Sequence, residues 1–144
     1  MKITVTNLQD AYPIKKQRIR EVVKEVLHRE KVDAELSIAF VDKDEITRLN
    51  KRFLGREEPT DVLSFPLDTK ARRITGEVVV CVPVAVEYAT DTKTEVEGEL
   101  MLYVVHGVLH LLGYDDADKK GADTMHRVEK EILSKFGYEV GELQ

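Results

Sequence analysis

The feature that most constrains the fold is a strongly apolar run that contains two histidines. It covers residues 103–116 and reads Tyr-Val-Val-His-Gly-Val-Leu-His-Leu-Leu-Gly-Tyr-Asp-Asp. His106 and His110 are four residues apart, so on an α-helix they share one face. Because almost every other side chain here is apolar, we expect this helix to lie at the centre of the fold. Gly113 follows the last apolar residue, where helices commonly end in a left-handed conformation.

A carboxylate beyond that turn completes a three-ligand set. Asp116 comes six residues after His110, and a turn at Gly113 folds it back toward the histidine face. Two imidazoles and a carboxylate, with a fourth position open, form the arrangement of catalytic zinc sites. The sequence therefore predicts that His106, His110 and Asp116 bind one zinc ion. Another divalent metal such as Mn²⁺ is the alternative, because a carboxylate ligand suits harder ions.

The competing interpretation is a pair of core histidines with ordinary hydrogen-bond partners. Burying two imidazoles without strong partners costs on the order of a few kcal/mol. Two such residues at helical spacing in the most apolar helix of a small protein are therefore better explained by a metal.

Composition limits the class of protein. The chain has 144 residues, 42% hydrophobic and 34% charged, which suits one domain with its own core. The single cysteine, Cys81, lies in a run of valines, excludes an internal disulfide and favours a reducing compartment. Without a membrane-length apolar run or a signal-peptide pattern, we expect a cytoplasmic protein. The net charge of −5 means that any nucleic-acid surface is a local patch.

Hydrophobic periodicity predicts the element order β-α-β-α-β-β-α-α-α. The expected strands are 2–6, 36–40, 62–65 (ended by Pro66) and 78–82, with a polar loop at 68–75. The expected helices begin at Tyr12-Pro13, at an Asp42/Glu45 capping box, at Pro83, at a Thr94/Glu97 capping box and after Asp116. Their inward residues are Ile19, Val22, Val23, Val26 and Leu27; Ile46, Leu49 and Phe53; and Met125, Val128, Ile132, Leu133 and Phe136.

This order predicts an α+β fold. The first β-α-β unit can form a right-handed parallel crossover. The third and fourth strands are joined without a helix, so at least one pair is expected to be antiparallel. We therefore predict a single domain, residues 1–144, with a mixed sheet of about four strands, helices on its faces and a central metal-binding helix.

One position argues against the chemistry that the ligand spacing first suggests. The spacing is typical of zinc peptidases with the motif HExxHxxGxxH, whose glutamate is the general base. Here that position is Gly107. A glycine inside a helix costs about 1 kcal/mol relative to alanine, so we expect Gly107 to leave space for substrate or for another helix. No side chain is predicted as a general base.

A metal with an open position still suits phosphoryl chemistry, which depends mainly on positioning and on positive charge. Arg52 and Arg56, near the start of the third strand, are the candidate substrate-binding residues. The basic face of the first helix is either a solvated surface or an RNA contact; it carries Lys15, Lys16, Arg18, Arg20 and Lys24. His126 is out of phase with the inward face of its helix and is expected to be structural or solvent-facing, with contact to the metal as the remaining alternative.

Three blocks of the chain resemble the YbeY family of bacterial endoribonucleases. Residues 106–116 resemble its signature H-G-x-L-H-L-x-G-Y-D-H, and differ at the final position. Residues 59–66, Pro-Thr-Asp-Val-Leu-Ser-Phe-Pro, resemble its second block, and residues 76–80, Gly-Glu-Val-Val-Val, its third. The resemblance extends from about Ile3 to Tyr138, nearly the whole chain.

The resemblance implies a metal-dependent, single-strand-specific endoribonuclease in which a metal-activated water attacks the phosphodiester. It implies work at the 3′ end of small-subunit ribosomal RNA and in ribosome maturation and quality control. The implied partners are single-stranded RNA, ribosomal RNA and ribosomal or ribosome-associated proteins. The resemblance implies zinc held by three histidines. The first two correspond to His106 and His110, and the third position is occupied here by Asp116. The family's functional arginine falls on Leu54, so Arg52 or Arg56 is expected to supply that charge.

Three other functions stay open at this point. A non-catalytic ribosome-assembly factor with structural zinc is disfavoured by the open coordination position. A zinc peptidase-like hydrolase is disfavoured by Gly107. An iron oxygenase with two histidines and one carboxylate uses the same ligand types, but nothing in the sequence indicates a cosubstrate pocket.

Overall fold

The computed structural model describes residues 1–68 and 73–141, and over these ranges nine elements follow in the predicted order. The strands are β1 (Lys2–Asn7), β2 (Asp33–Val41), β3 (Val62–Asp68) and β4 (Arg73–Cys81). The helices are α1 (Lys16–Arg29), α2 (Lys43–Leu54), α3 (Val82–Thr92), α4 (Val96–Leu111) and α5 (Lys119–Ser134). The predicted α+β class is confirmed. None of the helices in these ranges combines the length and apolar character that crossing a bilayer requires.

The strands form one mixed sheet in the order β1-β2-β4-β3. β1 pairs in parallel with β2, and β2 in parallel with β4. A parallel pair needs a crossover connection, and α1 supplies it between β1 and β2. β3 and β4, which follow each other without a helix, are antiparallel. The mixed sheet and its antiparallel pair are therefore as predicted.

Side chains alternate across the sheet and so reach two separate cores. Ile38 and Phe40 of β2 pack in the larger core, which α1, α4 and α5 cover. Ala39 and Val41 point to the other face and pack with Ile46 of α2. α4 packs against α1, α3, α5, β3 and β4, and most of its residues are buried. The expectation that the histidine helix is central is confirmed.

α1 has the predicted inward face but begins later than predicted. Its buried residues are Ile19, Val22, Val23, Val26 and Leu27. The helix starts at Lys16 and not at Tyr12-Pro13. The Gln9 side chain accepts hydrogen bonds from the amides of Ala11 and Tyr12. Such local side-chain bonds favour a turn over a helix in this segment.

α2 keeps its predicted cap, but one residue of its predicted inward face is exposed. Asp42 Oδ1 accepts a hydrogen bond from the Glu45 amide at 2.9 Å. Ile46 is fully buried, whereas Phe53 is 54% exposed. The Phe53 ring contacts the Phe65 ring, with centroids 5.1 Å apart. Phe53 lies in the last turn of α2, and Phe65 belongs to the edge strand β3.

The predicted Thr94/Glu97 capping box does not form. Glu95 is the N-cap residue of α4 and makes no side-chain capping bond. The Glu97 carboxylate instead accepts from Lys15 at 2.8 Å and from the Tyr138 hydroxyl at 2.6 Å. The Glu97 carboxylate therefore bonds to residues distant in sequence, and not to the backbone at the start of its own helix.

Pro66 does not end the third strand, which continues to Asp68. β3 is an edge strand, where a residue without an N–H group is tolerated, and the register shifts between Pro66 and Asp68. The predicted polar loop at 68–75 is shorter than expected because β4 begins at Arg73. Residues 69–72 of that loop lie outside the described residues. Cys81 is buried, as predicted.

Candidate metal centre

α4 places His106 and His110 one turn apart, with their Nε2 atoms facing each other. The Nε2–Nε2 distance is 3.0 Å, and the ring centroids are 4.5 Å apart in an edge-to-face arrangement. The side chains are 27% and 32% exposed. The rings therefore lie at the margin of the core and are partly exposed to solvent.

A turn at Gly113 brings Asp116 to the histidines. Gly113 has a φ of +100°, a conformation that residues with a Cβ rarely adopt, and its amide bonds to the His110 carbonyl at 3.1 Å. Asp116 Oδ2 lies 3.4 Å from His106 Nε2, and Oδ1 lies 3.7 Å from His110 Nε2. The three side chains named from the sequence thus converge, with one ligand atom of each within 4.8 Å of the others.

The second nitrogen of each imidazole is held by an acceptor. His106 Nδ1 lies 2.5 Å from Glu129 Oε2, and His110 Nδ1 lies 3.1 Å from the carbonyl oxygen of Tyr114. A carboxylate and a backbone carbonyl accept hydrogen bonds, so each Nδ1 carries the proton. In each neutral imidazole, Nε2 is then the nitrogen that is able to bind an ion.

The donor set fits a divalent ion. Ligand atoms about 2.05 Å from a tetrahedral zinc lie about 3.3 Å apart. The separations among His106 Nε2, His110 Nε2 and the Asp116 oxygens are 3.0, 3.4 and 3.7 Å. The two distances to Asp116 involve different carboxylate oxygens, and one ligand atom of each residue lies within 4.8 Å of the others, so this His/His/Asp group could hold a metal.

The electrostatics of the group also favour a cation. Burial lowers the pKa of His106, but its hydrogen bond to Glu129 and the negative charges of Glu129, Asp116 and Asp61 raise that pKa by more. The net pKa lies above its ordinary value. The imidazole thus lies in a negative potential that a bound metal ion would also experience.

Glu129 is the site residue that sequence reasoning missed. It lies on α5 and is 4% exposed. It is four residues after Met125, on the apolar face of an amphipathic helix, where an acidic residue is unusual. This acidic residue among inward-facing apolar positions was the sequence feature that could have indicated a role for Glu129. His126 is structural and not solvent-facing, since its side chain is 15% exposed.

Tyr114 connects the turn after α4 to the first helix. Its carbonyl holds His110 Nδ1, and its hydroxyl donates a 2.7 Å hydrogen bond to Glu30 Oε1, the C-cap residue of α1. Tyr114 therefore anchors the turn before Asp116 both to the histidine helix and to α1.

Gly107 packs against the sheet. A Cβ at this position would lie 2.6 Å from Val78 Cγ1 and 3.1 Å from Val62 Cγ2. The Gly107 carbonyl accepts a 2.8 Å hydrogen bond from Ser64 Oγ. The expectation that Gly107 leaves space for substrate or for another helix is wrong, because the neighbour is the sheet itself. A peptidase-type glutamate has no room here, which removes the argument for a peptidase.

The two candidate arginines lie at the end of α2, outside the metal group. Arg52 and Arg56 are both exposed. The Arg52 guanidinium lies 5.3 Å from the centroid of the Phe53 ring. Leu54, at the position of the family's arginine, is 58% exposed. This segment leads into β3, the strand that packs against Gly107.

Comparisons with known proteins agree with this geometry. A sequence model of the family described as Endoribonuclease YbeY matches residues 4–137. Endoribonuclease YbeY of Vesicomyosocius okutanii is 41% identical over 74% of this chain and 76% of its own length. Endoribonuclease YbeY of Acinetobacter baylyi is 37% identical over 88% of this chain and 86% of its own length.

A solved structure has the same fold. The solution structure of TM1509 from Thermotoga maritima superposes with a TM-score of 0.66 and 29% identity. The superposition covers 94% of this chain and 91% of the other. Fold, signature residues and curated relatives agree, and this chain belongs to the YbeY family of endoribonucleases.

Proposed function

We propose that this chain is a zinc-dependent endoribonuclease that cuts single-stranded RNA during ribosomal RNA processing. Family membership makes it a hydrolytic endoribonuclease. The observation that carries the metal assignment is the convergence of His106, His110 and Asp116. A bound ion would supply water activation and Lewis-acid polarisation of a phosphoryl oxygen. The catalytic unit is one domain spanning residues 1–144.

The three side chains have separate roles in this proposal. His106 and His110 hold the ion through Nε2, and Asp116 holds it through its carboxylate. Three protein ligands leave the fourth position open for chemistry. The ligand side chains are between 27% and 43% exposed, so an RNA strand can reach them. Zinc is the proposed ion, with Mn²⁺ as the alternative because of the carboxylate ligand.

The proposed substrate is unpaired RNA, with the 3′ end of small-subunit ribosomal RNA as its main target. Ribosomal or ribosome-associated proteins are the further partners, and the cytoplasm is the location. Arg52 and Arg56 contact the RNA in place of the arginine that Leu54 replaces. The Arg52–Phe53 contact supports this role, because guanidinium and aromatic planes stack on unpaired bases. Unchanged RNA binding and cleavage after Arg52→Glu and Arg56→Glu would refute it.

The experiment that tests the proposal combines elemental analysis with an RNA cleavage assay. We expect about one zinc ion per wild-type chain and cleavage of single-stranded RNA, with duplex RNA left intact. Asp116→Ala should lose both the zinc and the cleavage. Asp123→Ala, which removes an exposed carboxylate of α5, is the control and should keep both.

Other outcomes would favour the other functions. A zinc-loaded protein that does not cut RNA and unfolds on chelation would be a ribosome-assembly factor with structural zinc. Iron-dependent oxygen uptake would indicate an oxygenase.

A further inference from the structure

We propose that Glu129 is a positioning residue for the metal centre. Its carboxylate holds the His106 ring in one orientation and in the tautomer that turns Nε2 toward the ion. It also adds a second negative charge beside that of Asp116. This inference rests on the proposed metal site and assigns a role to a residue outside its three ligands.

The contact with His106 is short and enclosed. Glu129 Oε2 lies 2.5 Å from His106 Nδ1, and the Glu129 side chain is 6% exposed. Glu129 belongs to the buried residues of α5, which also include the apolar Val128 and Ile132. An ionised carboxylate placed there without a partner would be strongly unfavourable. Its imidazole partner is therefore what makes this burial tolerable.

The other oxygen of Glu129 lies farther from a histidine nitrogen. Oε1 lies 3.9 Å from His126 Nδ1, beyond hydrogen-bond distance. Within the described ranges, His126 Nε2 is buried without a hydrogen-bond partner. His126 thus encloses the carboxylate without binding it closely, and the directional contact of Glu129 is the one with His106.

The two imidazoles are held by acceptors of different charge. The His110 partner is the Tyr114 carbonyl, which is neutral, whereas the His106 partner is a carboxylate. A carboxylate behind an imidazole fixes its tautomer and raises its basicity as a ligand. A divalent ion held by two neutral imidazoles and Asp116, with Glu129 behind His106, makes a group with no net charge. Such neutrality suits a site set partly into an apolar core.

A purely structural role is the competing explanation. Glu129 lies on α5 and His106 on α4, so their contact also joins two helices. A structural tie would change the free energy of unfolding and leave the affinity for zinc unaltered. A positioning role changes the affinity for zinc even in a variant that folds normally.

The test compares two substitutions of Glu129 with a control on the same helix. Glu129→Gln keeps a hydrogen-bond acceptor and removes the charge, and Glu129→Leu removes both at similar volume. Glu131→Gln removes an exposed carboxylate that pairs with Arg29. Zinc dissociation constants are measured by chelator competition. The tautomer of His106 is read from long-range proton–nitrogen NMR of the imidazole, and thermal melts of the metal-free proteins report folding.

We expect the zinc dissociation constant to rise about tenfold in Glu129→Gln and about 100-fold in Glu129→Leu, the range seen for carboxylates behind histidine ligands. It should be unchanged in Glu131→Gln. The His106 Nδ1–H tautomer should persist in Glu129→Gln and give way to a mixture in Glu129→Leu. Folded Glu129→Leu with wild-type zinc affinity would overturn the role of Glu129 alone. Wild-type protein that binds no zinc would overturn the metal site as well.

Discussion

Asp116 is the residue at which this chain departs from the family signature, and its consequence is electrostatic. Its carboxylate reaches both histidine Nε2 atoms, at 3.4 and 3.7 Å, so a ligand atom lies in place at this position. Relative to a third imidazole, the carboxylate makes the site one charge unit less positive and suits harder ions.

The variant Asp116→His tests this reasoning. We expect it to retain zinc and to raise the preference for zinc over Mn²⁺ by roughly tenfold, because imidazole suits zinc and carboxylate suits manganese. Competition titrations of wild type and variant with the two ions measure the ratio. Retention of zinc with an unchanged ratio would mean that Asp116 does not contact the ion.

The sequence could predict the three converging side chains but not the residue behind one of them. His106 and His110 follow from helical spacing and Asp116 from the glycine turn, which are both local rules. Glu129 reaches His106 from a different helix, 23 residues later in the chain. Its position depends on how α5 docks on α4, and sequence periodicity carries no information on that contact.

Among the elements, α4 matters most because its distance from the sheet sets the location of the histidines. Gly107 allows the close approach of α4 to the sheet. A Cβ at this position would lie 2.6 Å from Cγ1 of Val78, a buried residue of β4. A larger residue must push the helix from the sheet or distort the valine.

We therefore expect Gly107→Ala to destabilise the fold by about 1–3 kcal/mol, the usual cost of overpacking a core, even though alanine favours helices. Gly98→Ala in the same helix is the matched control. Among the described residues, its Cβ would meet the Glu139 carbonyl oxygen alone, at 3.9 Å, so we expect a neutral effect or a gain of up to about 1 kcal/mol. Urea unfolding of both variants measures the difference, and equal effects would contradict the packing argument.

Helix and strand identities followed from periodicity, whereas several boundaries depended on contacts that periodicity does not report. The inward face of α1 is apolar at every predicted position, yet its start is decided by the Gln9 side chain. The predicted capping box of α4 is absent, and Glu97 bonds to Lys15 and Tyr138 instead. Pro66 stays within β3 because that strand lies at the sheet edge.

For the whole molecule, the sheet and its two cores account for folding without an ion. The larger core joins α1, α4 and α5 to the sheet, and the second core lies under α2. The three metal ligands lie at the margin of the larger core and are partly exposed.

We therefore expect chelation to abolish RNA cleavage and leave the secondary structure intact. An ion that binds only the folded state stabilises it by mass action, so removing zinc should lower the free energy of unfolding. The decrease should be about 3–4 kcal/mol for zinc at 100 to 1,000 times its dissociation constant. Circular dichroism and thermal melts with and without chelator measure both effects. Complete unfolding on chelation would make the zinc structural.

The link between Tyr114 and Glu30 gives the first helix a remote influence on the ion. The two residues are 84 positions apart, and the segment they anchor carries the only carboxylate among the three ligands. A substitution at the end of α1 would loosen that anchor and let Asp116 swing away while both imidazoles stay in place. Metal occupancy should then respond to changes far from the signature, in a part of the chain that sequence comparison alone would regard as scaffolding.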